Sequence, residues 1–202
     1  MDIDMKAMKA EIGGAFVLTW VVFGMGLGTL SGAVALAVTW MAFSGAHLLP
    51  VVTWSHIMTG DLSDTEGNWM ANGMRLVAQV AGAALAVVLM TEAGAVGDGF
   101  TSTDMWIPDI ADNIWIHIAT IAAGAIWWQV HTRCDSAWAS AFGLMALGGA
   151  MTLTGADSMG SSLVDALEGV ADTAVNWICD GLFVGIGAFL GCQIDGMLGE
   201  EE

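Results

Sequence analysis

Few side chains of this 202-residue chain could do chemistry, and the most informative of them lie in two similar short segments. Residues 44–53 read SGAHLLPVVT, and residues 154–163, which lie 110 positions further on (154 against 44), read TGADSMGSSL. Each copy ends an uncharged apolar segment and leads into a short second one, so each is predicted to be a loop that turns back toward the apolar zone. The pair indicates an internal duplication and predicts a pore built from two half-length helices.

The remaining polar residues form no catalytic or metal-binding pattern. The sequence has no paired carboxylates and no Ser–His–Asp arrangement whose spacing would place reactive groups together. Its three cysteines, Cys134, Cys179 and Cys192, lack the spacing of a zinc, haem or iron–sulfur site and are predicted to be small core residues. We therefore expect no enzyme activity, no metal and no cofactor. With a net charge of −17, nucleic acid is not an expected partner, because phosphate binding needs a basic face.

Long uncharged segments predict an integral membrane protein. No Asp, Glu, Lys or Arg occurs from Ile12 to Gly60, and similar stretches cover residues 76–91, 113–132 and 136–156. About 20 apolar residues cross a bilayer. A soluble domain with 56% hydrophobic and 12% charged residues could not cover its surface with polar groups. The start of the chain, MDIDMKAMKAEIGG, is too acidic for a signal peptide, so we expect a multi-pass protein of the cell membrane that keeps its N-terminus.

The pattern of apolar segments predicts an all-α membrane protein with six transmembrane helices and two re-entrant half-helices in a single domain over residues 1–202. The spans are predicted near 11–29, 32–44, 73–91, 111–131, 137–153 and 174–195, and the half-helices near 50–59 and 160–169. The first repeat covers about 8–91, an extracellular loop about 92–110, the second repeat about 111–196, and an acidic tail 197–202. Small residues spaced four apart, such as Gly187 and Gly191, are predicted to allow close helix crossing.

The basic residues predict the orientation in the membrane. All four, Lys6, Lys9, Arg75 and Arg133, fall on one side of this topology, which the positive-inside rule makes the cytoplasmic side. Both termini are then cytoplasmic. The outer loops carry acidic residues with no basic residue to offset them, and this face is either a solvated acidic surface or a means of concentrating cations at a channel mouth.

The chain resembles the aquaporin and glycerol-facilitator family over most of its length. SGAHLLPVVT is similar to the family's SGAHLNPAVT box, and Glu11 with the following IGGAFVLTW is similar to the family's first span. RLVAQVAGAALAVVLM from Arg75, WASAFGLMALGG from Trp138 and NWICDGLFVGIGAFLG from Asn176 are similar to its third, fifth and sixth spans. The resemblance implies an inverted repeat and a homotetramer in the lipid bilayer, with one pore per subunit.

The resemblance also implies how a solute would be handled. The N-termini of the two half-helices would meet at the middle of the bilayer, where each carries about half a positive charge and repels cations. Irregular backbone is tolerated at that depth where it lines a cavity. Carbonyl groups of two extended legs, residues 45–48 and 155–158, would then offer a ladder of hydrogen-bond acceptors to the solute.

The resemblance implies ten pore-lining positions, and several of them differ from the family pattern. The positions are His47, Leu49, Pro50, Val51, Gly149, Asp157, Met159, Gly160, Ser161 and Ser162. Leu49 and Met159 replace the asparagines of the two Asn-Pro-Ala boxes, and Ser162 replaces the arginine of the outer constriction, which removes a fixed positive charge. The constriction position of the fifth span maps near Gly148, Gly149 or Ala150, all of which are small and would widen the filter. These changes predict a relaxed pore with an apolar centre, at which dewetting hinders water.

Other polar residues have a structural and a functional interpretation. By resemblance, Glu11 and His117 brace the two loops through hydrogen bonds, and His47 either holds its loop or lines the pore. Asp157 either caps the second half-helix or places a carboxylate at the outer approach. Ser162, three residues before Asp165, fits a capping box.

Three functions follow from this pattern. The first is a passive channel for small uncharged solutes such as glycerol, urea, ammonia or water. The second is a non-conducting, aquaporin-like structural or partner subunit, because the filter side chains are lost. The third is a weakly ion-permeable pore, which the acidic mouth and the missing arginine favour and the positive half-helix ends oppose.

Overall fold

The computed structural model describes residues 4–24, 27, 29–93, 114–148, 154–164 and 170–199. Within these ranges eight α-helices follow one another: α1 (Met5–Leu18), α2 (Thr29–Ala42), α3 (Pro50–Thr59), α4 (Ala71–Ala93), α5 (Ile114–Arg133), α6 (Ala137–Gly148), α7 (Thr154–Val164) and α8 (Val170–Gly199). Short π-helical turns extend α1 over Thr19–Phe23 and precede α4 over Thr65–Met70. No strand occurs in the described part of the chain, so the all-α class is confirmed. Most of the predicted loop 92–110 and the end of the acidic tail lie outside the described residues.

Length together with apolar composition distinguishes one helical stretch from the others in the described part of the chain. In the described ranges, one helical stretch, Thr65–Met90, is long and apolar enough to cross a membrane by length and composition. Three shorter apolar stretches, Leu30–Ala42, Ala137–Leu147 and Gly181–Met197, fall below that length. Within the described residues, the structure therefore shows one helix that has both the length and the composition of a membrane span, and the remaining predicted spans stay predictions.

The first half-helix forms where the sequence predicts it, over Pro50–Thr59. The residue before a proline is disfavoured in helical conformation, and Leu49 is extended, with φ −122° and ψ 143°. Pro50 itself suits the first helical position, because the N–H that it lacks would have no partner inside the helix. At the other end, the backbone N–H of Gly60 donates to the carbonyls of His56 and Ile57. One proline thus determines where this helix begins.

The prediction for the second half-helix, residues 160–169, is wrong at its start, because α7 spans Thr154–Val164. Gly160 stands where the first box has Pro50, so nothing forces the preceding residues into extended backbone. Residues 155–158 are therefore helical, and the predicted extended leg with its free carbonyl ladder is absent there. The backbone of Asp157 lies inside the helix rather than at its N-cap. Ser162 lies near its end and so does not begin a capping box.

The two halves of the chain pack in the same pattern. In the first half α1 contacts α4, and in the second half α5 contacts α8 in the equivalent way. The short helices cross between the halves, since α3 packs on α8 and α7 packs on α4. The remaining large contact joins α2 to α6. If each helix of the first half is replaced by its equivalent in the second half, and the reverse, the same set of helix contacts results.

Glycine allows the closest of these crossings. A Cβ atom at Gly82 of α4 would collide with the carbonyl group of Ile12 in α1, and one at Gly187 of α8 would collide with the carbonyl group of Ile121 in α5. The carbonyl of Ala125 likewise lies close to Gly191. The predicted role of these glycines in close helix crossing is thus seen in both halves.

Candidate functional site

Glu11 is the centre of a hydrogen-bond network that holds the first loop. Its side chain is fully buried in α1. Oε1 accepts from the backbone N–H of His47 at 2.6 Å and from Nη1 of Arg75 at 2.7 Å. Oε2 accepts from the backbone N–H of Leu48 at 2.8 Å and from Nε2 of Gln79 at 2.9 Å. Four donors thus surround one carboxylate, and the network joins α1, α4 and the loop between α2 and α3.

The backbone of this loop has an unusual conformation at two residues. Gly45 has φ 86° and Leu48 has φ 67°, which is the left-handed region that a leucine rarely adopts. The Glu11 bond to the Leu48 N–H helps to hold it there. The carbonyl of Gly45 accepts from Arg75, and that of His47 accepts from Nε1 of Trp40 at 3.1 Å. Two of the four carbonyls predicted to line the inner leg therefore already accept hydrogen bonds within the protein.

His47 forms a stacked pair with His56 of α3. The two imidazole rings are 4.1 Å apart between centroids and nearly parallel, at 3°. Nδ1 of His47 lies 3.1 Å from Oγ1 of Thr53, which also accepts from Nε2 of Gln79 at 2.9 Å. The pair is thus linked, through Thr53 and Gln79, to the Glu11 network.

A third histidine joins the pair from the second half of the chain. The His131 ring, at the end of α5, has its centroid 6.1 Å from that of His56. It also lies 5.1 Å from each of the rings of Trp127 and Trp128, and its Nδ1 is 2.9 Å from Oγ of Ser140. Three of the four histidines in the sequence therefore converge.

These three rings line a cavity of about 610 Å³, which we call the histidine cavity. Its wall is formed by the loop after α2, by α3, by the end of α5 and by the start of α6. The other side chains that matter for its chemistry are Trp40, Cys134, Asp135 and Ser140. The predicted topology places it on the cytoplasmic side. Of the three histidines, only His47 was indicated by the sequence, because no local pattern connects His56 with a histidine 75 positions further on (131 against 56).

Beyond this cavity the first box lies in a closed apolar cluster. Leu48, Leu49, Val51 and Val52 pack with apolar side chains of α1, α2, α5, α6 and α8. The Leu49 side chain is 2% exposed. The position predicted to form the centre of the pore is thus apolar and tightly surrounded.

The second box packs in a different apolar cluster. Met159 packs with Ile57 and Leu76 in a separate cluster, so the structure does not bring it together with Leu49 in one group. Gly160 lies against the backbone of α4 at residues 83 and 84, and Ser161 is half-buried in α7. Gly149 lies outside the described residues.

His117 has a different environment from the other three histidines. It is buried in α5, and its ring centroid lies 4.6 Å from that of Phe183 in α8. The structure therefore places it at the contact between these two helices. The residues that follow α6, where the second loop begins, lie outside the described part of the chain.

No protein-family model matches this chain, and no curated protein matches it significantly.

Proposed function

We propose that this protein is an aquaporin-like membrane channel for small uncharged solutes. In this proposal six helices cross the cell membrane, both termini are cytoplasmic, and four copies assemble, each with its own pore. The crossed packing of α3 on α8 and of α7 on α4 carries the proposal. Two half-length helices at equivalent places in two similarly packed halves are what an inverted-repeat channel requires.

Apolar residues on the outside of the helices support a lipid environment. In α2, Leu30, Val34, Val38 and Met41 recur at helical spacing with exposures between 40% and 69%, while Leu36 on the opposite face is fully buried. A helix that is apolar on both faces is typical of a membrane span. Exposed apolar residues on α4, α5 and α8 extend this surface: Val77, Leu85, Val88, Ile118, Ile126, Leu190 and Ile194. In water such a surface would cause aggregation.

The apolar centre supports uncharged solutes over ions. Leu49 and its neighbours present no charged group to a passing ion, and an ion stripped of water there would lose several kcal/mol of solvation or more. The N-terminus of α3 adds a partial positive charge that further disfavours cations. An ion-permeable pore is therefore not favoured by this geometry.

A second candidate function is a non-conducting structural subunit. One observation favours it, namely that Leu48 and Leu49 are almost completely buried within the central cluster. A leucine that fills the path would block flow by size as well as by dewetting.

Stopped-flow light scattering on proteoliposomes tests the channel proposal. At least one of water, glycerol, urea and ammonia should permeate faster than through protein-free vesicles. Leu49→Ala should raise the permeability, because it opens space in the central cluster, at a cost of about 2–5 kcal/mol in stability. Leu85→Ala is the matched control, since Leu85 is 55% exposed on the outer surface. If wild type and Leu49→Ala both match empty vesicles for every solute, the channel proposal fails and the structural subunit is favoured.

A further inference from the structure

The stacked histidine pair limits how much charge the histidine cavity holds. Two protonated rings with centroids 4.1 Å apart would repel each other strongly. Groups coupled in this way gain protons in separate steps. The pair of His47 and His56 therefore exchanges one proton at a time, and His131 offers a second exchange site 6.1 Å from His56.

Charged groups around the cavity favour the entry of a small cation. Asp135 lies on its wall, and the whole chain carries a net charge of −17. Arg75 of α4 is close enough to act on His47 and His56 and opposes a cation there, and its ion pair with Glu11 reduces this effect. On α5, Arg133 is likewise paired with Asp195. The indole ring of Trp40, also on the wall, presents a face that attracts cations.

Next to this cation-attracting cavity lies the apolar cluster of Leu48, Leu49 and Val52, which an ion cannot enter without a large solvation penalty. The solute that uses both features is a cation in water that becomes neutral when it loses one proton. Ammonium has this property, whereas glycerol, urea and water gain nothing from three clustered imidazoles. We propose that the histidine cavity binds ammonium, takes up one of its protons and releases ammonia into the channel. This inference rests on the proposed channel function.

The proton transfer is balanced without any further reactant. One N–H bond of ammonium breaks, its electron pair stays on nitrogen to give ammonia, and the proton bonds to a ring nitrogen of a neutral imidazole. The positive charge moves from one buried cation to another, so desolvation disfavours both sides of the step in the same way. The proton then returns to water at the cavity mouth, beside Asp135. Ammonia alone crosses, and the overall movement is electroneutral.

Proteoliposomes loaded with a fluorescent pH indicator test this inference. An inward gradient of ammonium chloride should raise the internal pH faster than in empty vesicles, independently of the membrane potential. His56→Phe and His131→Phe keep an aromatic ring in place but remove the proton acceptor. Each should lower the protein-dependent rate about tenfold or more, since proton transfer by a positioned side chain contributes at least that much to a rate. Trp138→Phe, at an exposed position of α6, should leave the rate unchanged.

Glycerol and urea permeability, measured on the same vesicles, separates the possible outcomes. If both histidine variants lose ammonia permeability while glycerol permeability is retained, the inference is supported. It is overturned if the ammonia rate is unchanged in both variants, if it falls in parallel with glycerol permeability, or if wild type passes glycerol but no ammonia. If no solute passes at all, the channel proposal itself fails.

Discussion

At the scale of single residues, the Glu11 carboxylate connects several parts of the fold through its hydrogen bonds. It is fully buried and accepts from two backbone N–H groups, one arginine and one glutamine. Removing its charge leaves Arg75 without its ionic partner and turns one acceptor atom into a donor that faces other donors. A buried carboxylate in such a network stabilises the fold only as long as all of its partners are present.

We expect Glu11→Gln to lower the free energy of unfolding by about 3–5 kcal/mol, the usual cost of breaking a buried ion pair by removing one partner. Thermal unfolding in detergent solution measures the change. Glu66→Gln is the control, because Glu66 is exposed in the turn before α4. Equal melting temperatures for the two variants would show that the Glu11 network does not hold the loop.

The left-handed backbone at Gly45 gives a second prediction at this scale. A Cβ atom at Gly45 would contact nothing within 4 Å, so an alanine there suffers only from its φ of 86°. We expect Gly45→Ala to destabilise the protein by about 1–2 kcal/mol. Gly73 of α4 also has open space but helical backbone, and Gly73→Ala should stabilise by up to about 1 kcal/mol. Chemical unfolding measures the free energy of unfolding of both variants. The prediction is wrong if the two substitutions change this free energy in the same direction.

At the scale of helices, the crossing of α1 and α4 depends on the absence of a side chain. The nearest atoms to an added Cβ at Gly82 belong to the Ile12 backbone, which cannot move aside as a flexible side chain can. The same arrangement recurs between α5 and α8 at Gly187. A single added methyl group would therefore disturb either the α1–α4 or the α5–α8 crossing.

We expect Gly82→Ala to cost about 1–3 kcal/mol, because the two helices must separate to admit the methyl group. Gly143→Ala in α6 is the matched control, since its Cβ would meet ordinary contacts at 3.5 Å. Melting temperatures in detergent measure both changes. A Gly82→Ala protein as stable as the control would mean that the α1–α4 crossing is looser than the structure indicates.

At the scale of the whole molecule, the main feature is the apolar character of the outer surface. Exposed apolar side chains recur on the outer faces of α2, α4, α5 and α8, and the chain has only four basic residues. Such a surface matches hydrocarbon rather than water.

We expect the protein to remain in the membrane fraction after alkaline carbonate extraction and to require detergent for purification. Multi-angle light scattering in detergent should then give the mass of four chains of 20.9 kDa each. Release by carbonate into the aqueous phase would contradict the membrane proposal. A monodisperse monomer would contradict the tetramer alone.

Local features of the sequence predicted much of the helical framework. Pro50 predicts the start of α3 because proline acts on the backbone next to it, whatever the rest of the chain does. The spaced glycines predicted close crossings, since a missing Cβ has the same steric effect in any helix pair. The start of α7 could not be predicted in this way, because Gly160 imposes no restriction on the backbone of the residues before it.

The sequence by itself determined that the chain is helical and that it contains several long uncharged apolar segments, because these properties follow from composition and from local backbone chemistry. Only the tertiary structure decided which side chains meet. His47, His56 and His131 belong to three different elements, and their convergence depends on how α3 and α5 pack. The same packing places Leu49 and Met159, which stand at equivalent positions of the two similar sequence segments, in different apolar clusters. Contacts between distant elements depend on the shapes of whole helices, and no short pattern in the sequence encodes them.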